Sequence, residues 1–433
     1  MSKSTENPEL QYLKKNFESY TYDMLLMNMA PELEEMEIFS KLMDIAIARR
    51  LNTFEAIHQG FQGTEVDVET RSGEKLHLLN FSSYNYLGFS YHPDVLKAAH
   101  DALDRYGLGA ASSPVLSGTF QVHIELEKAL LEYFDLPEHG ISLFSSGYGV
   151  NIGVIPAFAK PGSHVLLDES AHMSLVEGAQ LSGAEISYFA HNDMDDLEQK
   201  LVKISDGFTR VLICTEGVFS GDGDFGNVGE IVRLAKKYNA YTLVDEAHSA
   251  LLAGPNGRGV SEDHGVLKDV DLYVMTFSKA FGGVGGAVMA RRDLSRYLNW
   301  YAKSRMFSCA LDPAVTGGMI KVIKLAGSEE GRIRRARLMR NVESLISKLR
   351  GKVNLGVSNS WVITVIYGDD SKTTKLGVEL HKLGIDTSIL QFPAVPKNTG
   401  RIRIFITSEH TEEQLQKASE IILKAAKKLK FQI

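Results

Sequence analysis

The chain has 433 residues, 47 Lys plus Arg against 54 Asp plus Glu, a formal net charge of −7, and 44% hydrophobic and 23% charged residues. That composition suits a globular chain of two or three packed units, and its mild acidity argues against a general nucleic-acid binder, which needs a basic face. No apolar run approaches the roughly 18–20 residues that span a bilayer. The N-terminus, MSKSTENPELQYLKK, has no leader-type apolar stretch, and the two cysteines, Cys214 and Cys309, have no metal-like spacing, so a reducing cytoplasm is expected.

Residues 1–60 read as an N-terminal helical arm. YDMLLMNMAPELEEMEIFSKLMDIAIARR is rich in Leu, Met and Glu, and Pro31 is placed to open a helix. Met24, Met27 and Met29 suggest an adaptable partner surface; packing on the body or across a dimer is the plainer expectation. Residues 61–320 are expected to form a large α/β domain with a mostly parallel sheet flanked by helices. Its candidate strands are HVLLD (164–168), EISYFA (185–190), RVLICTE (210–216), YTLVDE (241–246), DLYVMTF (271–277) and GGAVMA (285–290), separated by amphipathic stretches such as DDLEQKLVKI and IVRLAKKY. Residues 321–433 read as a smaller C-terminal α+β domain: a long charged helix, WVITVIYG, RIRIFITS and a last helix from about Thr411.

Chemistry gathers at the predicted strand ends. Asp245 closes an apolar strand in LVDEAHSALLAGPNGRG (243–259), and His248 follows three residues later. Lys279, in TFSKAFGGVGG (276–286), also follows an apolar strand, beside Thr276 and Ser278; a desolvated amine there can form a Schiff base. LFSSGYGVNIG (143–153) joins hydroxyls and glycines to a helix start, where backbone N–H groups bind phosphate. Singly, a Gly-rich turn, a strand-end Asp or a Lys says little. Their joint order describes a pyridoxal phosphate site: Schiff-base lysine, acid for the pyridine nitrogen, phosphate cup.

With these pieces the chain resembles the pyridoxal phosphate-dependent α-oxoamine synthases of fold type I. The resemblance spans about residues 75–425 and rests on NFSSYNYLG (80–88), SGTFQVHIELE (117–127), SSGYGVNIG, DESAHMSLVEGA (168–179), EGVFSGDGD (216–224), VDEAHSA, GRGV, TFSKAFG and RIRIFITSEHT (401–411). It implies that Lys279 holds the cofactor and moves the proton, Asp245 pairs with the pyridine nitrogen, His248 and Ser220 meet the ring hydroxyl, and His172 stacks on the ring. A His at a helix start is equally a cap or a core residue. The resemblance further implies phosphate contacts from Gly147, Tyr148, Thr276 and, across a homodimer, Ser308. Arg403 would bind the amino-acid carboxylate, with Asn85, Tyr84 and Ser113 at the substrate. Arg401 is expected to be solvated or structural, set apart from Arg403 by strand alternation. No metal is expected.

Two departures bear on substrate. Pro114 stands where most relatives have Arg, and Tyr84, where many have Asn, is like the serine palmitoyltransferase branch; Ser113 mildly favours an amino acid larger than glycine. RIRIFITSEHT is closer to the oxononanoate and ketobutyrate branches. The implied reaction is decarboxylative condensation of a small amino acid (serine or alanine before glycine) with an acyl thioester on coenzyme A or an acyl-carrier protein. The rivals are another reaction of the same fold, transamination or retro-aldol cleavage, and a non-catalytic partner subunit.

Overall fold

The computed structural model describes residues 33–49, 53–204, 210–392 and 394–429, so the methionines at 24, 27 and 29 lie outside the described residues. Fourteen strands are described: β1 Ile57–His58, β2 Glu65–Glu69, β3 Lys75–Asn80, β4 His139–Phe144, β5 Ser163–Asp168, β6 Glu185–Phe189, β7 Arg210–Glu216, β8 Tyr241–Asp245, β9 Leu272–Thr276, β10 Gly286–Arg291, β11 Val362–Gly368, β12 Ile385–Asp386, β13 Ser388–Leu390 and β14 Gly400–Phe405.

Contacts divide the chain into two units, one of residues 84–339 with 407–409, the other of residues 1–83, 340–406 and 410–433. This differs from the expected boundaries. Position 320 falls inside the helix Pro313–Ala326, and the segment before residue 84 joins the C-terminal unit because β3 pairs in parallel with β12. That pairing joins residues about 300 apart and leaves no local signal.

The larger unit is built on one sheet of order β4-β10-β9-β8-β7-β5-β6. The β9–β8, β8–β7, β7–β5 and β5–β6 pairings are parallel, while β10 runs antiparallel to both neighbours. Helices cover both faces, so inner strands read as continuous apolar runs. Alternate residues then enter opposite cores. Val165, Leu167, Leu212 and Cys214 pack with Val150, Val154 and Leu175, whereas Leu166, Val211 and Ile213 pack with Leu197, Leu201 and Leu234. Each fully buried Leu or Val contributes roughly 1.5–3 kcal/mol. Cys214 is one of these core side chains, its thiol pushed up by burial. Cys309 is exposed.

The parallel strands set their carboxyl ends along one edge. β5, β7, β8 and β9 end at Asp168, Glu216, Asp245 and Thr276, with Glu216 directly opposite Asp245. In open α/β sheets ligands gather beyond these ends.

The other unit holds two smaller sheets, β1-β2-β3-β12 and β11-β14-β13, with the helices Leu33–Ala48, Asp370–Lys382 and Glu412–Lys428. Thr411 caps the last helix in a reciprocal box with Gln414. No helix among the described residues is long and apolar enough to cross a membrane.

Candidate active site

The chain leaves β4 through Ser145 and Ser146 into the helix Gly147–Phe158. Ser146 caps it, its Oγ accepting from Gly149 N at 2.9 Å. A Cβ on Gly147 would lie 2.6 Å from Thr276 Cβ and Oγ1, so only glycine lets the helix start sit against the end of β9. Two expected phosphate residues thus meet at a helix N-terminus, a cradle that fits an anion. Tyr148 hydrogen-bonds Glu177, and desolvation with that bond pushes its phenol up to about 12.

Asp245 is buried, and both carboxylate oxygens are held: Oδ2 accepts from Asn151 Nδ2 at 2.7 Å and Oδ1 from Ala247 N at 3.0 Å. His248 Nδ1 hydrogen-bonds the Tyr86 hydroxyl at 2.7 Å, and its ring meets Tyr84 edge-on at 6.0 Å. Lys279 Nζ lies 5.9 Å from the Tyr84 ring centroid. The loop after Lys279 turns sharply: Gly282 has φ 71°, and a Cβ there would meet Ser90 N at 2.7 Å. Asn85 braces the same point by accepting from Ser90 N at 3.3 Å.

His172 caps the helix Met173–Ser182, its Nδ1 accepting from Ser174 N at 3.3 Å, and its backbone N–H donates to Glu216 Oε1 at 2.6 Å. Its ring lies 6.2 Å from Tyr148, edge to face. Burial, then the neighbouring Asp245 charge, raises the Glu216 carboxyl well above its ordinary range. Glu246, next to Asp245, is fully buried and gathers the GRGV turn, accepting from Val260 N at 2.8 Å and Ser261 N at 2.7 Å.

Ser220 lies half-buried in the loop after β7. That loop is tied down by His191, which bridges Asp168 at 2.8 Å and Asp224 at 3.1 Å, with Asn192 Nδ2 also donating to Asp224 at 2.8 Å. Burial alone would lower the His191 pKa; the hydrogen bonds and charges of the two carboxylates outweigh it and raise it to about 10. A raised histidine stabilises fully below its unfolded value and loses that contribution as pH climbs through the folded one. His191→Gln is therefore expected to cost ~3 kcal/mol at pH 7. That is a fall of roughly 3 °C in thermal midpoint for a chain of this length, the gap to wild type narrowing between pH 7 and 10. A constant gap across that range would refute the assignment.

Ser308 lines a small cleft with Pro114, Ser145 and Arg305. Ser113, next to Pro114 in the chain, has its Oγ buried without a hydrogen-bond partner. Arg403 belongs to the other unit, on β14 opposite Thr364 and Ser388, its guanidinium 5.2 Å from the Phe405 ring centroid. Arg401 is buried at 5% exposure, with Nε donating to Thr399 O. The expected solvated role is thus wrong and the structural one fits. Residues two apart share a strand face, so alternation does not separate the two arginines.

The larger unit therefore collects Tyr84, Asn85, Gly147, Tyr148, His172, Ser220, Asp245, His248, Thr276 and Lys279 around the strand ends. Sequence reasoning missed Tyr86, Asn151, Ser174 and Glu216. All four lie inside motifs singled out for their neighbours, but their partners are distant in the chain.

The class I and II aminotransferase model matches residues 77–422. The 8-amino-7-oxononanoate synthase of Alkaliphilus metalliredigens is 37% identical over 359 residues, covering 83% of this chain and 89% of that protein. The serine palmitoyltransferase of Bacteriovorax stolpii is 34% identical over 393 residues, 90% of this chain and 91% of that protein. Among solved structures, a Sphingomonas wittichii serine palmitoyltransferase matches with TM-score 0.84 at 30% identity, over 92% of this chain and 99% of that one. A high-resolution serine palmitoyltransferase solved with PLP matches with TM-score 0.83 at 31% identity, over 91% and 96%.

Proposed function

The chain belongs to the class I and II aminotransferase family and, within it, to the α-oxoamine synthases, and we propose that it catalyses a serine palmitoyltransferase-like reaction. It is a pyridoxal phosphate-dependent acyltransferase that joins an amino acid to an acyl thioester. The amino acid proposed is serine or alanine, the acyl group a long chain, and the products an α-aminoketone, CO2 and a free thiol. The observation that carries this choice is Tyr84, set against both Lys279 and His248. The 37% identity to an 8-amino-7-oxononanoate synthase favours a second reading, a reaction like that enzyme's.

Bound pyridoxal phosphate supplies a carbonyl for Schiff-base chemistry and an electron sink for a carbanion. Lys279 would hold it covalently and move the α-proton at Nζ. Asp245, with two donors already fixing its carboxylate, would set its negative charge against the pyridine nitrogen and keep that nitrogen protonated. Gly147, Tyr148 and Thr276 would hold the phosphate; His248 and Ser220 would hold the ring hydroxyl; His172 would cover the ring face. Asn85, Tyr84 and Ser113 would border the substrate, and Arg403 would orient its carboxylate. Arg403→Lys is expected to raise KM for the amino acid about tenfold or more, because a point charge replaces a bidentate fork, while cofactor absorbance stays unchanged. An unaltered KM would remove Arg403 from this role.

A homodimer fits the same reading. Leu108, Leu116 and Phe307 are about 80% exposed, and the last two flank Ser113 and Ser308 in sequence. A second copy covering them would bring Ser308 to its neighbour's phosphate. The proposed setting is the cytoplasm, and the thioester is carried by coenzyme A or an acyl-carrier protein. The test is a matrix of amino acids against both donor types, read by product mass. Long-chain aminoketone from serine or alanine is expected; absence of CO2 release with every pair would sink the proposal.

A further inference from the structure

One hydrogen-bond path joins Asp245 to His172 across three elements of the sheet unit. Asn151 Nδ2 lies 2.7 Å from Asp245 Oδ2 and 2.9 Å from Ser174 Oγ. Ser174 Oγ in turn lies 2.8 Å from His172 Nδ1. Asn151 and Ser174 are each 1% exposed, so water does not substitute for these partners.

The direction of every bond follows from donor chemistry. A carboxylate accepts only, so the Asn151 amide must present its NH2 to Asp245, and its second proton goes to Ser174 Oγ. The reverse orientation would set Oδ1 against the Asp245 carboxylate. The orientation adopted leaves Asn151 Oδ1 buried without a hydrogen-bond partner. An unmet buried acceptor costs about 1–3 kcal/mol, which marks a constraint that outweighs it. The Ser174 hydroxyl keeps a second lone pair, so the backbone decides its role: an N–H aimed at His172 Nδ1 requires a bare nitrogen there, and the hydroxyl then donates to it as well. Ser174 N–H points at the same Nδ1, at 3.3 Å. A proton on Nδ1 would face both donors.

We infer that Asn151 and Ser174 are positioning residues that hold His172 in the neutral tautomer with its proton on Nε2, and so couple the ring of His172 to the carboxylate of Asp245. The groups facing this path are Asp245 on β8, Glu216 on β7, which accepts the His172 backbone N–H, and Tyr148 on the opposing helix, edge-on to the imidazole. The inference rests on the proposed function only for its consequence: the tautomer decides which edge of His172 can donate a proton in the site.

The test uses the full chain labelled with [15N]histidine, with and without pyridoxal phosphate. Long-range 15N–1H imidazole correlations identify the protonated nitrogen, and the His172 signals are those absent from His172→Gln. Wild type is expected to carry the proton on Nε2. Ser174→Ala and Asn151→Leu are expected to admit an Nδ1–H population and to lower kcat about tenfold or more, with cofactor occupancy by absorbance unchanged. In the His172→Gln background, Ser174→Ala should cost nothing further. Ser174→Ala serves if the Asn151 variant does not fold. A wild-type proton on Nδ1, or variants that keep both the tautomer and kcat, would overturn the inference. The tautomer is read without turnover: if condensation fails while His172 carries the Nε2 proton, the proposed reaction falls and this coupling stands.

Discussion

Lys279→Ala is expected to lower kcat by about 10³-fold or more, the range of a positioned acid–base group, and to abolish covalent attachment of cofactor on borohydride reduction. The amine sits at the exit of β9, in a loop that Gly282 turns tightly against Ser90. Its Nζ lies over the Tyr84 ring rather than in bulk solvent. Among the described residues, no other lysine follows a core strand at the edge where Asp168, Glu216 and Asp245 end. Removing it takes away both the covalent anchor and the proton carrier, whereas the phosphate cradle at Gly147 and Thr276 remains. Cofactor should therefore still bind, more weakly and without a covalent link. Borohydride fixation at full yield in Lys279→Ala, or a kcat within tenfold of wild type, would show that another amine does this work.

Asp245→Asn is expected to cost about 10²–10³-fold in kcat, the scale for deleting one preorganised electrostatic partner. Asp245 accepts from Asn151 on one oxygen and from Ala247 N on the other. An asparagine has one oxygen, so its NH2 must face one of those two donors. The substitution removes the charge proposed to lie opposite the pyridine nitrogen and also leaves a donor clash in a buried site, about 1–3 kcal/mol of stability. Asp245→Glu keeps the charge but moves it, and activity should not recover. Cofactor absorbance against pH separates these effects: loss of charge changes the titration, while misplaced packing chiefly lowers the thermal midpoint. If Asp245→Asn retains both the wild-type titration and kcat, the carboxylate has no role at the nitrogen.

Glu216 shows why part of the site escaped a linear reading. In the sequence it is one acid before Gly-Val-Phe, a common strand-end pattern. Its meaning arises because β7 and β8 are parallel neighbours in register, which sets it opposite Asp245 and under the His172 amide. Arg401 shows the converse error: the motif suggested that strand periodicity separated it from Arg403, but a spacing of two keeps both on one face, and packing buries Arg401.

The sequence by itself determined the chemistry and the order of its parts. Apolar runs that end in Asp245 and Thr276, a glycine-rich helix start at Gly147 and a lysine at 279 sit within single elements, where local pattern and covalent proximity suffice. It also determined the inner strands, because burial on both faces demands unbroken apolar residues. Only the tertiary structure decided what holds those groups. Asn151 reaches Asp245 across 94 positions, Tyr86 reaches His248 across 162, and β3 pairs with β12 across about 300. Such contacts leave no periodicity in the chain, since each is made by a single buried polar group or a strand pairing whose partner is chosen by packing. The direction of the Asn151 amide, and with it the proton of His172, exists only once those distant donors and acceptors are brought within 3 Å.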